Sequence, residues 1–155
     1  MNFEEEINST DEMIAFGKEI GRQISEGMVL ELIGDVGAGK TTFTKGLAKG
    51  LGISEVIQSP TFTISRVYKG KKLTLSHYDF YRLNDYGIME MELTENLNNP
   101  KNVTVIEWAG DLAEILPKKH LKLIFESLSE NQRKVKERHN DFISRYINRE
   151  MQNLA

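Results

Sequence analysis

Nine residues constrain this chain more than any others. Gly34-Asp35-Val36-Gly37-Ala38-Gly39-Lys40-Thr41-Thr42 stands directly behind the apolar run Met28-Val29-Leu30-Glu31-Leu32-Ile33 and opens a stretch with helical periodicity. A buried strand, a glycine-rich turn and a helix in that order form the unit that carries the G-x-x-x-x-G-K-[ST] pattern. Glycines let the backbone N–H groups turn inward as a nest for phosphate oxygens. The helix that follows adds its positive end. In such a unit Lys40 reaches the β- and γ-phosphates, the Thr41 hydroxyl is placed for Mg2+, and Thr42 adds a further hydroxyl. The expected ligand is a nucleoside triphosphate, ATP, with Mg2+.

Around this unit the chain alternates elements. Ser9-Thr10-Asp11-Glu12 has the form of a capping box, and Met13, Ile14, Ile20 and Ile24 follow at helical spacing, so a first helix is predicted from about Asp11 to Ser25. Thr42 to Leu51 suits the helix after the loop, with Gly50 and Gly52 near its end. Phe62–Tyr68 and Leu73–Tyr78 read as a hairpin across Lys69-Gly70-Lys71-Lys72. A helix is predicted over much of Tyr86–Leu97, ending before Asn98-Asn99-Pro100. Val103-Thr104-Val105-Ile106 reads as a central strand with Glu107 at its end. Leu121–Phe125 and Arg133–Lys136 pair as a last hairpin. Beyond them Phe142, Ile143, Tyr146, Ile147, Met151 and Leu154 share one helical face, predicting a C-terminal helix over 139–155 that packs on its own sheet. The resulting class is α/β: a three-layer sandwich of P-loop type, with a mixed, mostly parallel sheet flanked by helices and β-hairpins.

With 155 residues, 39% of them hydrophobic, residues 1–155 are expected to make one domain with one core. There is no cysteine, which excludes a disulfide scaffold and any thiolate ligand or nucleophile. No apolar run is long enough for a membrane span, and Met1–Glu6 is acidic where a secretory signal would be basic. The expectation is a cytoplasmic protein with no membrane role. A net charge of -3 argues against autonomous binding to nucleic acid. Residues 118–149 nonetheless hold nine Lys or Arg against four Asp or Glu, a distribution read as solvated faces.

A phosphate loop needs an acid for the metal, set where a buried strand ends beside it. Two positions compete. Glu107 ends the better parallel-strand candidate, and Asp79 follows Leu73, Leu75 and His77 on one alternating face. His77 reads as a strand histidine, since no second histidine or cysteine stands at metal-ligand spacing. His120 and His139 read as isolated and solvated, Ser59-Pro60 as a turn, and Trp108 as a core aromatic.

Four separated motifs then stand in register: Gly34 to Thr42, Ser59-Pro60-Thr61-Phe62-Thr63, His77-Tyr78-Asp79-Phe80-Tyr81-Arg82-Leu83, and Ile106-Glu107-Trp108. Over roughly Ser9 to Lys136 the chain resembles the TsaE (YjeE) family, the bacterial ATPases of threonylcarbamoyladenosine synthesis on tRNA. The resemblance implies action with TsaB and TsaD proteins, with tRNA met through that complex, and ATP binding and hydrolysis supporting turnover. It implies that Gly37, Ala38, Gly39, Lys40, Thr41 and Thr42 hold phosphate and metal, that Asp79 is the acid of a switch-like segment, and that Glu107 lies near the metal. It further implies that Ser59 to Thr63 lies near the nucleotide, that the capping region with Asp11 approaches the base, and that Arg133 reaches ATP. Lys40, Asp79 and Glu107 are therefore the catalytic candidates; Thr41, Glu107 and Asp79 are the metal candidates.

The chain departs from the family in two places: Ala109 stands where proline often follows Ile-Glu-Trp, and 84–93 lacks a run of glutamates. Either Asp79 or Glu107 can position the attacking water. Turnover should be slow, with Arg82 and Arg133 the arginines to test as a finger. Two other functions use the same loop: a small nucleotide or nucleoside kinase, and a non-catalytic ATP-dependent assembly factor. The kinase requires an arginine-rich lid, and no compact arginine cluster follows the loop.

Overall fold

The structure, a computed structural model, describes residues 3–60, 63–83 and 87–138. The expected C-terminal helix, His139, Thr61-Phe62 and Tyr86 lie outside them.

Met28–Ile33 forms β2, and Leu30 and Leu32 turn one way into the larger core cluster while Val29 joins the smaller cluster on the other face. That alternation is the period-2 consequence of the strand. Asn102–Glu107 forms β5, Thr74–Asp79 forms β4 and Leu121–Ser127 forms β6. β5 and β6 flank β2 in parallel, and β4 lies parallel on the far side of β5. Ser65–Lys69 (β3), Arg133–Arg138 (β7) and Glu4–Ile7 (β1) add antiparallel edges. The seven-stranded order is β1-β7-β6-β2-β5-β4-β3.

Thr10–Gln23 forms α1 and Lys40–Gly50 forms α2; both cover the face carrying Leu30, Leu75, Val103, Val105 and Leu123. Gly87–Leu97 (α3) and a 3-10 turn over Gly110–Ile115 cover the other face, with Leu93 and Leu112 packed on Tyr78 and Ile106. These are the three layers of the expected α/β sandwich. Phe3, Phe16, Phe43 and Phe125 run as a chain of ring contacts with centroids 5.5–6.1 Å apart, tying β1, α1, α2 and β6 together.

Ser9 caps α1 as its sequence foretold, accepting from Glu12 N–H at 3.1 Å. Glu12 reaches back to the N–H of Asn8, one residue earlier than a standard capping box. Two elements were not anticipated: β1 and the 3-10 turn. Glu4-Glu5-Glu6-Ile7 has no strand-like alternation, and its partner strand is Arg133–Arg138, with Glu4 opposite Lys136 and Glu6 opposite Lys134. Opposite charges thus face one another across some 130 positions of sequence and Ile7 enters the core, a pairing that no local pattern reveals.

Candidate functional site

The three parallel strands β2, β5 and β4 end together, and the register puts Leu32 beside Glu107 and Glu107 beside Asp79. Both acids competing in the sequence are thus neighbours at the C-terminal ends of adjacent inner strands, on the face that α2 covers. The phosphate loop leaves the end of β2 at the same level. Gly34 passes so close to β6 that a Cβ there would sit 2.7 Å from the Phe125 carbonyl oxygen. Gly37 and Gly39 adopt φ of 84° and 107°, a left-handed backbone that side chains disfavour. Gly39 is the N-cap of α2 and supplies no side-chain cap. The first N–H groups of the helix are therefore left to an outside acceptor.

Lys40 is buried, 5% exposed. Its Nζ donates to the Gly34 carbonyl at 2.5 Å, lies 3.7 Å from Glu107 Oε1 and stands 4.5 Å over the Trp108 ring. Glu107 Oε2 accepts from His77 Nε2 at 2.6 Å. Asp79 accepts from Tyr81 N–H at 3.0 Å, a local turn that fixes its carboxylate at the strand end. Trp108 has φ of 56°, and Ile64, whose carbonyl accepts from Asp79 N–H, has φ of 69°. Positive φ is an outlier for such bulky residues and costs on the order of 1–3 kcal/mol each. Both strained positions adjoin the acids. At Trp108 the turn brings the indole under Lys40 and against Tyr81, 4.9 Å between ring centroids.

These groups enclose a cavity of about 190 Å3, lined by the loop and by Lys40, Thr41, Thr42, Asp79, Glu107 and Trp108, with Ser59 at its side. Thr41 and the two carboxylates offer hard oxygen donors within one cavity, a set suited to Mg2+ that arrives on a phosphate chain. Among the described residues no three His, Asp or Glu side chains converge to hold an ion unaided.

A second cavity, about 120 Å3, opens on the other side of the loop and shares Gly37, Gly39 and Thr42 with the first. Arg133 lines it, held by donation from its guanidinium to the Gly37 carbonyl at 3.2 Å and the Ser129 carbonyl at 2.7 Å. Ser9, Thr10 and Met13 of α1 form its far wall. Asp11 itself is exposed in the first turn of α1, and its neighbours line the cavity in its place. Arg82 is exposed and lines neither cavity.

Two sequence expectations change, and a third is extended. Trp108 is not an ordinary core aromatic, since it lines the cavity beside Lys40. His77 is a strand histidine, as expected, yet one bonded to a candidate catalytic acid. Its parity carried the signal: two residues before Asp79, it shares that residue's face. His120 is not isolated, because Nε2 meets Glu31 Oε1 at 3.1 Å and Nδ1 donates to the Pro117 carbonyl at 2.6 Å. Glu31 reads from sequence as one polar interruption in an apolar strand, and its partner lies 89 positions away.

The family model described as threonylcarbamoyl adenosine biosynthesis protein TsaE matches residues 7–135. The tRNA threonylcarbamoyladenosine biosynthesis protein TsaE of Bacillus subtilis is 39% identical over 125 residues, covering 81% of this chain and 78% of the relative. The protein of the same name from Treponema pallidum is 40% identical over 133 residues, covering 82% and 93%. Among solved structures, Bacillus subtilis YdiB superposes with a TM-score of 0.71 at 33% identity, over 88% of this chain and 84% of that one.

Proposed function

This chain belongs to the TsaE family and so to tRNA threonylcarbamoyladenosine biosynthesis; from that premise we propose that it is the ATP-binding and hydrolysing component, acting with TsaB and TsaD proteins. The observation that carries this reading is the convergence of Lys40, Thr41, Asp79, Glu107 and Trp108 on one cavity at the phosphate loop.

The triphosphate lies along the loop, taking hydrogen bonds from the uncapped N–H groups at the start of α2. Lys40 exchanges the Gly34 carbonyl for phosphate oxygens, a short move because its Nζ already lies inside the loop. Arg133, fixed on Gly37 and Ser129, sits on the side of the second cavity, where α1 gives Ser9, Thr10 and Met13 to the nucleoside end. Thr41, Glu107 and Asp79 are the residues that would hold Mg2+, which would supply charge to offset that of the phosphates. One of the two carboxylates orients the attacking water in line with the β–γ bridge. The water oxygen bonds to the γ-phosphorus as the bridging P–O bond breaks, and ADP leaves with that electron pair. Lys40 stabilises the charge spreading over the transferred group.

The chain has a single tryptophan, and it lines this cavity, so ATP titration can be followed by Trp108 emission. Lys40→Ala should weaken ATP by roughly 10- to 100-fold, the weight of one or two charge-assisted hydrogen bonds. Glu107→Gln and Asp79→Asn should keep affinity within a few-fold and lose hydrolysis by on the order of 10²-fold or more. Unchanged affinity in Lys40→Ala would overturn the assignment of the loop.

A further inference from the structure

The two oxygens of Glu107 are engaged by different side chains, Oε1 facing Lys40 at 3.7 Å and Oε2 accepting from His77 Nε2 at 2.6 Å. A carboxylate free to pair with a buried ammonium closes to about 2.7–2.9 Å. The longer separation leaves Lys40 on the Gly34 carbonyl, a neutral partner that it can exchange for phosphate. His77 makes the shorter of the two contacts. It lies fully buried on β4 beside Val105, among Leu75, Val103 and Val105, where an aliphatic side chain would satisfy the packing. Its other nitrogen, Nδ1, is buried with no hydrogen-bond partner. A half-satisfied imidazole in an aliphatic layer weakens the fold relative to leucine. The compensation is its single hydrogen bond, to Glu107.

We propose that His77 is a positioning residue for phosphoryl transfer: its Nε2–H tethers Glu107, which keeps the carboxylate from capturing Lys40 and presents Oε1 to the cavity. The proposal rests on the reading of Glu107 as an acid of the ATP site. Without the tether, Glu107 collapses onto Lys40, so the acid is lost to the chemistry and the lysine is less available to phosphate.

The test compares His77→Leu, His77→Gln, Glu107→Gln and the double variant His77→Leu/Glu107→Gln in the full chain. The readouts are single-turnover hydrolysis, ATP affinity without metal and the Trp108 emission of the ligand-free protein. His77→Leu should lose hydrolysis by on the order of 10- to 100-fold, with a smaller loss of metal-free ATP affinity and a changed Trp108 emission as Lys40 shifts. Glutamine places an N–H near the Nε2 position, so His77→Gln should recover most of each. The double variant should hydrolyse no more slowly than Glu107→Gln alone, because His77 acts through Glu107. Wild-type hydrolysis in His77→Leu overturns the proposal and leaves the ATP site standing, as do losses that multiply in the double variant. If His77→Leu fails to fold, a folded His77→Gln with none of the activity overturns it equally. Failure of the unaltered chain to bind or hydrolyse ATP overturns the site reading, and the proposal with it.

Discussion

A lysine and a glutamate that are 5% and 3% exposed are costly groups to bury, on the order of several kcal/mol per ion before any pairing. They stand 3.7 Å apart, so the pairing between them is loose. In the proposed ATP site the cation is thereby kept in reserve for phosphate, on a carbonyl and an aromatic face. His120 shows the opposite arrangement, with both ring nitrogens facing acceptors. The hydrogen bond to Glu31 raises its pKa above the ordinary value, against the opposing effects of partial burial and of Lys122. The folded state therefore holds this proton more tightly than the unfolded chain. The stability it adds is fully present below about pH 6.5 and is lost as pH rises through the raised folded value. Melting temperature followed from pH 6 upward should fall across that window, and His120→Gln should flatten that part of the profile. An unchanged slope in the variant would show that Glu31 and His120 are not coupled.

At the scale of elements, the placement of α1 against α2 governs the second cavity, because α1 supplies Ser9, Thr10 and Met13 while α2 follows the loop. The two helices cross on Gly17, Gly21, Gly46 and Gly50. A Cβ on any of these would fall far inside contact with a carbonyl oxygen of the other helix: Phe43, Leu47, Ile14 and Lys18 respectively. In sequence the four glycines look like weak points in helices, and only the crossing reveals that they let the backbones touch. Gly46→Ala should destabilise the chain by about 1–3 kcal/mol in denaturant unfolding through overpacking, against a helix-propensity gain of about 1 kcal/mol. A net gain in stability would mean that the helices are not so closely packed. Local signals were otherwise sufficient here: the capping box at Ser9, the apolar run of β2 and the β-branched run of β5 each fall within about two residues of the element they foretold. Parity along β4 could show that His77 and Asp79 share a face, but not that β4 would lie against β5. Pairing between strands is a long-range outcome of packing, and so the two acids looked like rivals until the register placed them side by side.

For the whole molecule, the parallel order β6-β2-β5-β4 sends the chemistry-bearing residues of three strands to one edge, while α1 and the turn before β7 approach the loop from the other side. Among the described residues no helix is long and apolar enough to cross a membrane. The first cavity brings together the glycine-rich loop, Lys40 and two acids, one of them bonded to His77, and Arg133 is the one arginine lining either cavity among the described residues. Slow turnover by the chain alone, accelerated when partners close over the cavity, is the behaviour such a site should have. The direct measurement is the amount of threonylcarbamoyladenosine formed per TsaD protein in a mixture of TsaB, TsaD, tRNA, ATP and a supplied activated donor of the threonylcarbamoyl group, with this chain, without it, and with Lys40→Ala in its place. Many turnovers with the unaltered chain, and no more than the chain-free yield with Lys40→Ala, is the predicted result. The same yield in all three mixtures would contradict the account.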